Sequence, residues 1–123
     1  MVILGIFPWS LTPELYAAQP EYIASLAAFV RSRPTQPLAA FMSQSNAVIA
    51  HDAAAQLGHI TAPTQITFGR HDVVTSTRFA DEMMANIAQA EMVVFEGSAH
   101  APIYEQVAEF NQRTLAFLQA HTG

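Results

Sequence analysis

The feature that most constrains this chain is a pair of short apolar runs, each closed by a glycine and separated by a stretch long enough for a helix. Residues 64–68 are rich in β-branched and aromatic side chains, open after Pro63 and end at Gly69; residues 92–95 form the second run, closed by Gly97. Between them, Thr75 and Ser76 are candidate N-caps for a helix carrying Phe79, Met83 and Ile87 at four-residue spacing. A last helix is predicted over about 103–119, with Val107, Phe110, Thr114 and Phe117 along one stripe and Leu115 and Leu118 widening it. Two strands joined by such a helix are expected to run parallel with a right-handed crossover, so the expected fold class is α/β.

Residues 1–58 have a different texture. They show no convincing alternating strand and read as an apolar lead segment followed by helices. Pro20 and Glu21 suit a first helical turn, and Ile23, Leu26, Ala27 and Val30 then repeat at i, i+3, i+4, i+7 until Pro34 and Pro37 break the helix. A second helix is predicted over about 38–57, with Phe41, Met42, Ser45, Val48 and Ile49 near one face and Gly58 as its C-terminal stop. Phe7 and Trp9, flanking Pro8, are expected in packing or at an interface. The chain thus divides into a lead and helical part, 1–58, and a βαβα part, 59–123.

Open parallel sheets bind ligands beyond the carboxyl ends of their strands. The first strand is followed by Gly69-Arg70-His71-Asp72 and the second by Gly97-Ser98-Ala99-His100, so a carboxylate and an imidazole stand at equivalent places on strands about 5 Å apart. An Asp that accepts from one imidazole nitrogen fixes the tautomer and leaves the other as a base. Spacing alone leaves a second reading open, in which Asp72 caps the helix starting near Thr75 and His100 is an unrelated solvent-facing loop imidazole. His71 reads as a bystander. His71, Asp72 and His100 lack any H-x-x-x-H or similar metal-ligand spacing, and no metal is expected.

Composition excludes several classes. Ten acids against five basic residues, all arginine, give a net charge of -5, and no nucleic-acid partner is expected without a basic patch. With no cysteine there can be no disulfide, thiolate metal site or Cys nucleophile. The longest apolar stretch, residues 1–9, is about half what a bilayer requires and lacks the basic start and cleavage site of a signal peptide, so no membrane partner and a cytoplasmic location are expected. Only 12% of residues are charged, against about 25% in ordinary soluble domains, so exposed apolar surface and self-association are expected.

The segment Ile60-Thr61-Ala62-Pro63-Thr64-Gln65-Ile66-Thr67-Phe68-Gly69-Arg70-His71-Asp72 resembles the part of α/β-hydrolases that ends in the catalytic acid. Phe95-Glu96-Gly97-Ser98-Ala99-His100-Ala101-Pro102, followed by Glu105 and Phe110, resembles the segment carrying the catalytic histidine. Acid before histidine, with one helix between, is also the order of that family. The resemblance implies a partial α/β-hydrolase fold, Asp72 as the acid and His100 as the general base, with no cofactor. Residues 14–58 are more loosely similar to the end of the family's helical lid, with His51, Asp52 and Leu57 in its return helix. Two positions depart from the pattern: Gln65, where an apolar residue is usual, and Ala99, where glycine is common.

The family's nucleophile sits on a G-x-S-x-G elbow. The glycines here are Gly5, Gly58, Gly69, Gly97 and Gly123, no two of them four apart, so the motif does not occur; Ser10, Ser43, Ser45, Ser76 and Ser98 lie on no such elbow. The resemblance therefore implies the C-terminal part of a hydrolase of esters, lactones or carbon–carbon bonds, a truncated or split protein with little activity of its own. The alternatives are a non-catalytic, self-associating or partner-binding remnant, and one half of a hydrolase completed by another chain. A homo-oligomer formed through an exposed sheet edge, on which the lead segment Met1-Val2-Ile3-Leu4-Gly5-Ile6-Phe7 could pack, and a small ester-like ligand complete the expectations.

Overall fold

The computed structural model describes residues 5–122. The N-terminal half is helical: α1 Phe7–Ser10, α2 Pro13–Ala18, α3 Pro20–Ser32 and α4 Leu38–Ala50, followed by a 3-10 turn at Ala54–His59. Proline at the start of α1, α2 and α3 supplies a pre-set φ where no N–H partner is needed. Thr12 caps α2, its hydroxyl accepting from the Leu15 N–H at 3.3 Å. Leu11, Leu15 and Ile23 form a small core with Phe7, Tyr16, Tyr22 and Leu26 around it, and this core reaches across to Ala101, beside His100. The expected stripe of α3 is the face that packs: Ile23 and Ala27 are buried, Leu26 and Val30 half-buried.

The C-terminal half holds β1 Thr64–Gly69, a 3-10 turn at Thr77–Phe79, α5 Ala80–Asn86, β2 Ala90–Phe95, α6 Pro102–Glu105 and α7 Val107–His121. β1 and β2 pair in parallel with Thr64 opposite Ala90 and Gly69 opposite Phe95, so both strands end at the same level. Ile66 and Phe68 pack with Ala80 and Ile87 from the crossover, supported by Leu57, Met83 and Ala90. At the end of the other face Phe95, fully buried, packs on Phe110 of α7 with ring centroids 5.7 Å apart. Gln65, unusual in a buried strand, is explained by the register: its amide donates to Glu91 directly opposite, at 2.7 Å. Among the described residues no helix is long and apolar enough to cross a membrane.

Four expectations are corrected. The helix predicted over 38–57 stops at Ala50, because the Asp52 carboxylate accepts from the Ala54 N–H at 3.1 Å and starts a new turn. His51 and Asp52 are therefore not helical, and Gly58 lies inside the 3-10 turn instead of ending a helix. The last helix breaks at Gln106, whose side-chain oxygen accepts from the Gly97 N–H at 3.2 Å. Of the two places expected for Trp9, packing within the chain is corrected, since the side chain is 61% exposed. Of the lead segment, Met1 to Leu4 lie outside the described residues, and its last residue, Phe7, begins α1.

Candidate active site

The matched strand ends place two loops side by side. The Arg70 N–H donates to the Phe95 carbonyl at 3.0 Å, the His71 N–H to the Ser98 carbonyl at 2.9 Å, and the Asp72 N–H turns back to the Gly69 carbonyl at 3.2 Å. The loops approach so closely that a Cβ at Gly69 would overlap the carbonyl oxygen of Ala99, which is why glycine closes this strand. On the surface, Arg70 and Glu96 join the loops by a two-pronged ion pair at 2.8 and 2.6 Å.

This scaffold brings Asp72 and His100 together. His100 Nδ1 lies 2.9 Å from Asp72 Oδ2, with the Asp72 side chain 4% exposed and that of His100 39% exposed. Asp72 Oδ2 also accepts from the Thr75 hydroxyl at 2.8 Å, and Oδ1 from the N–H groups of Val74 at 2.7 Å and Thr75 at 3.0 Å. Burial opposes the charge on Asp72, but the hydrogen bonds from His100, the Thr75 hydroxyl and the two backbone N–H groups outweigh it and hold its pKa at about 2. A carboxylate ionised at neutral pH only accepts, so His100 Nδ1 carries a proton, and in the neutral imidazole Nε2 has the free lone pair. The arrangement can orient a base and stabilise the imidazolium formed when that base takes a proton.

Asp72 does not cap a helix as the alternative reading expected: the helical turn begins only at Thr77, and Oδ1 instead closes a turn with the N–H groups of Val74 and Thr75 while Oδ2 holds the imidazole. The expected N-caps separate. Ser76 caps the 3-10 turn, accepting from the Arg78 N–H at 3.4 Å, whereas Thr75 belongs to the Asp72 cluster. His71 is exposed and contributes only its backbone to the loop pairing.

A second carboxylate, present in the family-like segment but given no role there, holds the histidine loop from behind. Glu105 Oε2 accepts from the buried Ser98 hydroxyl at 2.8 Å and from the Ala99 N–H at 2.5 Å; Oε1 accepts from the Thr12 N–H at 2.5 Å. One side chain thus joins the loop before His100 to the start of α2, and no local sequence pattern could reveal a partner 93 residues away. Among the described residues no serine hydroxyl is bonded to His100, and no group of three or more His, Asp or Glu could hold a metal ion.

No family model matches the chain. By sequence it is 35% identical over 66 residues to the AB hydrolase superfamily protein YisY of Bacillus subtilis, a match covering 54% of this chain and 25% of that protein. It is 30% identical over 99 residues to the 2-hydroxy-6-oxo-6-phenylhexa-2,4-dienoate hydrolase of Burkholderia cepacia, covering 80% of this chain and 30% of that one. By structure it superimposes on a thermophilic esterase from Thermogutta terrifontis with a TM-score of 0.82 and 22% identity, over 98% of this chain and 44% of the esterase. In sequence the chain resembles α/β-hydrolases, and its fold is part of theirs. Its two-stranded sheet and helices are a partial α/β-hydrolase fold, and it spans between a quarter and a third of the length of these curated α/β-hydrolase relatives.

Proposed function

We propose that the chain carries the acid and the base of an α/β-hydrolase active site, Asp72 and His100, and that the serine they serve lies on polypeptide outside this sequence. In the complete site His100 Nε2 takes the proton of that serine as it attacks the substrate carbonyl, Asp72 steadies the imidazolium, and His100 returns the proton to the leaving group. The reaction class is hydrolysis of a small ester, a lactone or an activated carbon–carbon bond. The observation that carries this reading is the 2.9 Å contact between an ionised, hydrogen-bonded carboxylate and Nδ1 of His100 at the strand ends. The absence of any G-x-S-x-G within these 123 residues supports the second half of it. A cytoplasmic location belongs to the same proposal.

Two measurements test it. A far-downfield imidazole proton resonance is expected in the purified chain and should vanish in Asp72→Asn. The chain alone is expected to hydrolyse p-nitrophenyl acetate no faster than free imidazole. Co-expressed with a neighbouring polypeptide that carries the serine elbow, it should gain turnover that His100→Ala lowers about 10⁴-fold or more. Robust hydrolysis by the chain alone, abolished by His100→Ala, overturns the proposal.

A second reading, association through apolar surface with another copy or a partner chain, is favoured by α4. This helix contains no charged residue, and Leu38, Val48 and Ile49 are 74%, 76% and 83% exposed.

A further inference from the structure

His100 stands on the wall of a cavity of about 260 Å³ enclosed mainly by the helical half. Seven of its lining side chains are apolar: Ile6, Phe7 and Leu11 at and beside α1, Leu26, Phe29 and Val30 on α3, and Ala101 beside His100. We propose that this cavity receives a small, uncharged aryl or branched-alkyl group of the substrate and rejects a carboxylate at the same place. The inference rests on the Asp72–His100 reading for the identity of the reacting end, but its selectivity comes from helices that carry neither residue.

Size and charge both argue for it. Cavities of about 150 Å³ lined by aliphatic and aromatic side chains take up benzene, so this one has room for a ring and a short substituent. None of the chain's five arginines lines it, and the sequence contains no lysine; Arg33 lies over the Phe29 ring at 5.6 Å but is not on the wall. The polar side chains on the wall are Ser10, His100 and Tyr104. The Ser10 hydroxyl already donates to the Ile6 carbonyl at 3.2 Å, and His100 Nδ1 faces Asp72. A carboxylate lodged here would meet apolar walls and, behind the imidazole, the negative charge of Asp72. It would be desolvated with no arginine or lysine on the wall to pair with. A neutral ring meets no such penalty and buries its surface against Leu26, Phe29 and Val30.

The test is a matched pair of probes of similar shape, acetophenone and benzoate, titrated into the full chain and followed by NMR. Acetophenone is expected to shift the resonances of His100, Ala101 and Leu26 saturably, and benzoate to bind at least tenfold more weakly. Val30→Arg should narrow or reverse that preference, while the wild-type comparison stands without any variant. Benzoate binding as tightly as acetophenone, or acetophenone shifts confined to other parts of the chain, overturns the inference. The downfield imidazole proton, read in the same samples before titration, separates the two proposals. If that proton is absent while acetophenone is still preferred, the Asp72–His100 reading falls and the pocket stands. If it is present while benzoate is not discriminated, the pocket falls and the pair stands.

Discussion

Asp72 turns its two oxygens to different partners, and that division makes it sensitive to acid. Its folded pKa of about 2 lies below the ordinary carboxylate value of about 3.9, so the unfolded chain binds the proton more readily. The stability Asp72 contributes is therefore complete above about pH 4 and is lost as pH falls through about 2, with a size on the order of 2 kcal/mol for this largely buried side chain. Thermal melts of wild type and Asp72→Asn should differ most near neutrality and converge towards pH 2; a gap that widens in acid would contradict the assignment. Gly69 makes an equally local demand. Gly69→Ala would push a methyl group into the Ala99 carbonyl, and a loss of about 3 kcal/mol is expected in urea unfolding. At this scale the sequence was informative where the cause is local. A carboxylate three residues beyond one strand end and an imidazole five residues beyond the other could be placed from turn residues and strand period alone. The part played by Thr75, three positions after Asp72, was hidden because the same residue type is also a good helix cap.

Elements were legible where a side-chain period meets a buried face, and not where a tertiary contact sets the boundary. The strands and α3 follow their patterns because Ile66, Phe68, Ile23 and Ala27 are buried. The break between α6 and α7 has no mark of its own in the sequence: Gln106 leaves the helix to meet Gly97 across the fold. Glu105, at the end of α6, is the clearest case of a role fixed only by tertiary structure. Its carboxylate accepts from the backbone of Thr12 and Ala99 and from the hydroxyl of Ser98, and Ser98 is fully buried. Glu105→Ala strands those donors, and a loss of about 3 kcal/mol is expected, with Glu105→Gln losing less because one acceptor remains. Since Glu105 also seats the residues before His100, Glu105→Ala should broaden or abolish the downfield imidazole proton, which a purely structural contact elsewhere would leave sharp.

At the scale of the whole molecule, the accessible surface is 8871 Å², about a third more than the roughly 6,500 Å² expected of a compact chain of this mass. The low charge content pointed to this excess; α4 is where much of it is displayed. Ile49→Lys is expected to leave unfolding stability within about 0.5 kcal/mol, because the side chain is 83% exposed. The same substitution should shift the sedimentation profile towards monomer. Sedimentation of the wild type as a monomer at micromolar concentration would count against association through this helix.

The lack of ionisable side chains along α4 also sets which solution conditions govern its contacts. A surface with no charge offers nothing for counter-ions to screen, so dilute sodium chloride should scarcely alter whatever covers it. Ammonium sulfate, which strengthens the burial of hydrocarbon, should tighten that contact, and cooling should loosen it.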